Sequence, residues 1–260
     1  MITTGIVGFA FTLIFLGLIV YFTIADRKDT KIQLRVIPAI NKLQRAIGLA
    51  VEAGSRLHIS IGRGNLTGSE SAAAFAGINI LERLTRSTST SDNPPVATTG
   101  DAALAVLMRD TLNTTYHDIG IDEQYDPTTG RLVGLTPFSY AAGTMSIIRD
   151  EKASAHIFLG HFGSEVALLT DAGERNGDLT LAGTDNLPAQ AILYATAQEP
   201  LVGEEVYAGG AYLGADKMHL ASLKAQDIIR WILAAVILGS IAAKIIGLDQ
   251  LLLNILGASQ

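Results

Sequence analysis

From Gly5 to Ile24 the chain runs GIVGFAFTLIFLGLIVYFTI, 20 residues without a charged side chain. A helix needs about 20 apolar residues to cross a hydrocarbon core of roughly 30 Å. A helix buried in a soluble protein normally keeps a polar stripe, and this one has none. A cleaved leader is disfavoured too. There is no basic segment ahead of the apolar run, the run is too long, and Thr23-Ile24-Ala25 is a poor cleavage site. Residues 1–25 are therefore expected to be a transmembrane helix. A second apolar stretch begins at Ile228-Ile229 and continues from Trp231 to Gly247, which predicts a second span over 228–247. Trp231 stands where an interfacial aromatic belongs, and Lys244 can extend its ammonium to the interface. The tail, 248–260, is apolar but short.

The basic residues around these spans set an expected orientation. Only Met1-Ile2-Thr3-Thr4 precedes the first span, whereas Arg27, Lys28, Lys31 and Arg35 follow it. Lys217, Lys224 and Arg230 precede the second, and no Lys or Arg follows Lys244. Positive charge marks the cytoplasmic side. The sequence thus predicts an integral protein of the inner or cell membrane, with its central domain in the cytoplasm and both termini outside. Lys244 counts slightly the other way.

Between the spans lie enough residues for an independent core. A net charge of -6 argues against a nucleic-acid partner, which requires a basic face. The chain has no cysteine, which excludes disulfides, thiolate metal sites and cysteine nucleophiles. Ile40, Leu43, Ile47, Ala50 and Val51 recur at helical spacing up to Gly54, so 26–55 reads as a juxtamembrane amphipathic helix. Over 56–225, segments of strand character alternate with helical ones. The strands are Arg56–Ile61, Val96–Thr99, Ala155–Leu159 and Leu179–Ala182. The helices are 69–84, 102–112, 138–148, 164–171, one opened by Pro188, and 202–213. This alternation predicts an α/β, Rossmann-like domain with a largely parallel sheet. The turn-rich stretch 118–131 is the expected break between halves, and Pro200 is expected to end a helix. His58-Ile59-Ser60-Ile61-Gly62 resembles His156-Ile157-Phe158-Leu159-Gly160, and each is followed by a helix and a second glycine-ended strand. Two βαβα halves would account for this.

Parallel sheets bind ligands outside the carboxyl ends of their strands. Each expected strand end here carries glycine beside a polar residue: Gly62-Arg63-Gly64, Gly100-Asp101, Gly160-His161 with Ser164, and Gly183-Thr184-Asp185. Glycines let a ligand approach backbone N–H groups, although strand-to-helix turns also need glycine for geometry alone. Ser164, three residues after His161, reads first as a helix cap, and His58 and His156 read as hydrogen-bonded core residues. No Walker A, complete Gly-x-Gly-x-x-Gly, Gly-x-Ser-x-Gly or His-Glu-x-x-His pattern occurs. No cofactor, metal or catalytic residue is assigned, and whether the chain is an enzyme stays open. In the second span Ala235, Gly239, Ala243 and Gly247 recur every four residues, a small-residue face of the kind that lets helices approach closely in lipid.

Four runs carry a resemblance. They are Pro94-Pro95-Val96-Ala97-Thr98-Thr99-Gly100-Asp101, Leu135-Thr136-Pro137-Phe138-Ser139-Tyr140-Ala141-Ala142-Gly143, Leu168-Leu169-Thr170-Asp171-Ala172-Gly173-Glu174-Arg175 and Ala195-Thr196-Ala197-Gln198-Glu199-Pro200. Through them the chain resembles an uncharacterised family of bacterial and archaeal membrane proteins, with two terminal spans around an α/β cytoplasmic domain. The resemblance implies the anchored architecture and supplies no catalytic residue. Two functions are then expected. The first is a membrane scaffold that assembles as a homo-oligomer through its α/β domain and its spans. The alternative is a membrane-bound enzyme or sensor that takes a small anionic ligand at the strand ends. A channel role is disfavoured because neither span carries a charge at its middle.

Overall fold

The computed structural model describes residues 2–25, 35–89, 91, 93–214 and 217–246. Two compact units emerge. One comprises residues 33–215, and the other combines 1–32 with 216–260.

In the larger unit, α2 (Pro38–Ala53) opens with proline at its start and ends on Gly54 at φ 60°. Its face of Ile40, Leu43, Ile47 and Ala50 is buried. The helix expected as a separate juxtamembrane element is therefore part of the domain. It packs across β1 (Arg56–Gly62), β4 (Ala153–His161), β5 (Leu179–Thr184) and β6 (Glu199–Leu201). The remaining elements are α3 (Ser71–Ser87), β2 (Val96–Thr99), α4 (Ala102–Ile119), β3 (Gly130–Leu132), α5 (Pro137–Asp150), α6 (Val166–Asn176), α7 (Leu187–Thr196) and α8 (Glu205–Tyr212).

All six strands are parallel, in the order β3-β2-β1-β4-β5-β6. The chain builds outward from β1 to one edge, returns through α5, and builds outward from β4 to the other edge. The two halves are βαβαβ units, each one strand longer than the expected βαβα. The break between them is the α5 crossover rather than the stretch 118–131, which ends in β3. Strand β6 contains Pro200, where the sequence suggested a helix breaker. A proline is tolerated there because β6 is an edge strand with only β5 to pair with.

The strands are buried on both faces, as crossover helices on both sides of a sheet require. One face of β1 and β4 presents Leu57, Ile59, Ile61, Ile157 and Leu159 to α2, α3, α4 and α8. The other face meets α5, α6 and α7 through Phe158, Phe162, Tyr140, Val166, Leu169 and Leu193. On that second face β1 contributes His58 and Ser60 instead of apolar residues, and both are fully buried. The beginning and end of this unit are tied together. The Tyr212 hydroxyl donates to the Arg35 carbonyl at 2.6 Å, Gln44 donates to the Tyr212 carbonyl at 2.8 Å, and Arg35 pairs with Glu205.

The second unit is a helix pair. Helix α1 (Ile2–Ala25) and α9 (Lys217–Ile246) are both long and apolar enough to cross a membrane. Helix α9 is continuous for 30 residues and starts well before the expected 228. Phe11 and Phe15 share a cleft with Gln226, Ile229, Arg230 and Leu233, and the Lys224 ammonium lies 5.9 Å from the Phe22 ring. The helices are thus antiparallel and staggered. The half of the uncharged run in α1 nearer Ala25 lies beside the turns of α9 that carry Lys224 and Arg230. Ala235 and Gly239 are exposed and Ala243 is part-exposed, with no atom within 4 Å of where a Gly239 side chain would begin. Gly247, the tail 248–260, and Arg27, Lys28 and Lys31 lie outside the described residues.

Candidate site at the strand carboxyl ends

The strand order reverses between β1 and β4, and each half departs from there in its own direction. In doubly wound sheets this reversal opens a crevice at the carboxyl ends of the two central strands. The four strand-end glycines do collect on that edge: Gly62 ends β1, Gly100 follows β2, and Gly160 and Gly183 are next to last in β4 and β5.

Their immediate surroundings are backbone and side chains of the same domain. Gly62 has φ 76°, and a side chain on it would run into the carbonyl of His161. One on Gly160 would run into the carbonyl of Ile61. On Gly100 it would meet the Arg63 side chain at 2.5 Å, and on Gly183 the Leu201 side chain at 2.9 Å. Gly64 is buried against the His161 Cβ and Ala74. The Gly62 carbonyl accepts from the Gly100 N–H and the Thr99 hydroxyl, both at 2.9 Å, and the Arg63 N–H donates to His161 O at 2.9 Å. These bonds draw β2, β1 and β4 together at the edge, and the glycines give them room.

The polar residues of the turns form two linked groups. Arg63 lies across the edge. Its Nη2 points to the Leu135 carbonyl at 3.4 Å, its Nη1 lies 3.8 Å from Glu165 Oε1, and its Nε is buried without a partner. The Glu165 side chain is only 3% exposed and accepts the Gly163 N–H at 3.0 Å. His161 is held by Asp185, Nδ1 to Oδ1 at 2.7 Å, and its Nε2 lies 3.8 Å from Glu70 Oε1. Thr184 joins the neighbouring turns, accepting the Phe162 N–H at 3.1 Å and the Asn186 N–H at 3.3 Å.

Two of the expected site residues stand apart from these groups. Asp101 caps α4, accepting the Leu104 N–H at 2.8 Å. Ser164 is exposed and is not the cap of α6, because Glu165 occupies that position. The sequence reading placed neither Glu70 nor Glu165 among the site residues. Their available signal was position, an acidic residue at the start of a helix that follows a glycine-ended strand.

A buried polar chain runs beneath this edge. His156 Nε2 lies 3.0 Å from Asp178 Oδ2, and His156 Nδ1 lies 3.1 Å from His58 Nδ1. His58 Nε2 lies 3.0 Å from the Thr98 hydroxyl, which is 2.7 Å from the Ser60 hydroxyl. Ser60 in turn bonds the Tyr140 hydroxyl. One assignment satisfies every atom. The Asp178 carboxylate accepts His156 Nε2–H, leaving His156 Nδ1 to accept His58 Nδ1–H. His58 Nε2 accepts from Thr98, Thr98 from Ser60, and Ser60 from Tyr140. Both imidazoles are then neutral. Burial pushes His58 well below the ordinary imidazole value, and His156 and Arg131 add to the shift. Burial also lowers His156, against the opposing pull of Asp178. Burial pushes the Tyr140 phenol far up. The histidines are the packed, hydrogen-bonded core residues that the sequence suggested, and they bond each other. Among the described residues no three His, Asp or Glu side chains converge as metal ligands.

No curated protein and no solved structure matches the chain. A family model matches residues 3–254, nearly the whole length, so that the two long apolar helices and the α/β unit fall within one match. By that match the chain belongs to the family described as a domain of unknown function (DUF6754).

Proposed function

We propose that the α/β unit is a membrane-anchored binding domain for a small anionic ligand, received between the carboxyl ends of β1 and β4. The observation that carries this reading is the reversal of strand order there, with Arg63 lying across it and its buried Nε lacking a partner. A guanidinium offers a planar fork of donors that suits carboxylate and phosphate groups. The purified chain in mild detergent is expected to gain thermal stability in a panel of phosphate, pyrophosphate, nucleotides and dicarboxylates, because a ligand of the folded state stabilises it by mass action. Arg63→Met is expected to remove the gain. A gain that persists in Arg63→Met, or no gain with any compound, removes the reading.

A second reading, a homo-oligomeric scaffold, is favoured by the open space beside Gly239. In lipid, helices associate through close van der Waals packing, which small residues permit. Replacing Gly239 and Ala243 with leucine is expected to lower the assembled fraction in detergent and leave the α/β unit folded. A monomeric parent chain, or an assembly that the double replacement leaves intact, argues against it.

In both readings the helix pair lies in a membrane with the α/β unit on the cytoplasmic side, as the basic flanks suggest. Cysteines introduced at Thr3 and Ser259 are expected to react with an impermeant thiol reagent in intact cells, and one at Ser91 is not. Labelling at Ser91 alone reverses the orientation.

A further inference from the structure

The two halves of the sheet each supply one basic side chain and one carboxylate to the carboxyl edge, and the partners are exchanged. Arg63, just after β1, faces Glu165 at the start of α6. His161, at the end of β4, faces Glu70 at the start of α3. Both distances are 3.8 Å. Each carboxylate belongs to the residue just ahead of its helix, and neither makes the usual capping bond to that helix. Each accepts a loop N–H instead, Glu70 from Asn65 at 3.5 Å and Glu165 from Gly163 at 3.0 Å.

At 3.8 Å neither contact is a hydrogen bond, so the placement of the loops holds them, with attraction between charges added at Arg63. Arg63 is left with donor capacity to spare. Arg63 Nε is unpartnered, and Asp185 fixes the His161 ring so that Nε2 is the atom directed at Glu70. The two contacts reach the central strands from opposite sides of the sheet, where the two halves diverge.

We propose that these exchanged contacts are an autoinhibitory clasp: Glu70 and Glu165 occupy the crevice, and a ligand bearing two anionic groups enters by replacing them at His161 and Arg63. This rests on the ligand-binding reading of the same crevice. The carboxylates oppose the ligand twice, by occupying the side chains it would bind and by repelling its charge. A ligand that binds only the open state loses apparent affinity by the fraction of time the site is closed. Replacing glutamate with glutamine keeps the shape and removes both effects.

The test is calorimetric titration of the full chain in mild detergent with inorganic pyrophosphate, and with inorganic phosphate as the single-group comparison. Glu70→Gln and Glu165→Gln are each expected to bind pyrophosphate several-fold more tightly than the parent, and the double variant at least ten-fold. Phosphate is expected to gain less. Adding Arg63→Met to the double variant is expected to abolish binding. Glu70 has a side chain 40% exposed, so its variant tests the clasp even where loss of the buried Glu165 carboxylate disturbs folding. Arg63-dependent binding to the parent that neither variant strengthens overturns the clasp and leaves the ligand-binding reading standing. Binding to the double variant that survives Arg63→Met overturns it as well. No binding of either probe to the parent or to the double variant removes the clasp, and the ligand-binding reading is then decided by its own panel.

Discussion

Alanine in place of Gly62 is expected to lower the unfolding free energy by about 4 kcal/mol or more, in the exceptional range for one substitution. Two costs combine. Gly62 has φ 76°, where a side chain costs about 1–2 kcal/mol. The added methyl also runs into the His161 carbonyl, which is backbone and cannot rotate away. Relief requires β1 and β4 to separate at the edge, and that strains the Arg63-to-His161 and Gly100-to-Gly62 bonds. Gly120→Ala isolates the first cost. Gly120 has φ 80° at the end of α4, and nothing lies within 4 Å of the added atom. For a domain of this size 1 kcal/mol shifts the thermal midpoint by roughly 2–4 °C. Gly120→Ala should therefore lose a few degrees, and Gly62→Ala about 8–16 °C or more, or all folded protein, by the same conversion. Equal losses for the two would mean that the close approach of β1 and β4 is unimportant.

The same contrast shows why glycine is an ambiguous signal in a sequence. Gly62, Gly100, Gly160 and Gly183 were legible as strand ends because each closes an apolar run and precedes a helix. Backbone contact between β1 and β4 explains Gly62 and Gly160, with or without a ligand. That contact joins residues about a hundred positions apart, and no local pattern encodes it.

Strands β1, β2, β4 and β5 were readable because their residues are apolar or β-branched and glycine or a polar turn bounds them. Strands β3 and β6 were not. Each is three residues long and lies at an edge, β3 follows a run of turns, and β6 contains Pro200. Without them the topology cannot be ordered, although short right-handed crossovers would have permitted few alternatives. The periodicity of α2 was clear from Ile40 to Val51. Its membership of the domain was not, because an amphipathic face does not say which apolar surface it covers.

The candidate site divides along the same line. Arg63, His161 and Asp185 sit beside diagnostic glycines and were legible as residues of one edge. Their partners follow from the fold. Glu165 reaches Arg63 and Glu70 reaches His161 only because β1 and β4 are neighbours at the centre of the sheet. The histidine pair is similar. The strand pattern put His58 and His156 inside the core, and the register of β1 on β4 brings their rings together.

Acidification is expected to destabilise the α/β unit below about pH 6.5, before its carboxylates titrate. His58 and His156 are fully buried, and both titrate below the ordinary imidazole value in the folded chain. The unfolded chain then binds protons near pH 6.5 that the folded chain refuses. Stability is complete above that pH and falls as the pH drops toward the folded values. A histidine kept neutral costs about 1.4 kcal/mol per pH unit over this interval. His58 should contribute the larger share. It faces His156 on β4 and Arg131 on β3, and no carboxylate bonds to it. His156 should contribute less, because Asp178 favours its charged form. Protonation would also break the chain of bonds. An imidazolium has two N–H donors and no acceptor, so a protonated His58 can no longer accept the Thr98 hydroxyl. A doubly protonated pair would set two cations 3.1 Å apart. Thermal midpoints of the full chain in mild detergent should stay level between pH 7.5 and about pH 6.5 and fall steadily from there to pH 5. His58→Asn should lower the midpoint at pH 7.5, because a buried partner is lost, and flatten the slope below it. A parent whose midpoint stays level below about pH 6.5 as well, or a variant that keeps the full slope, would mean that these histidines do not set the acid response.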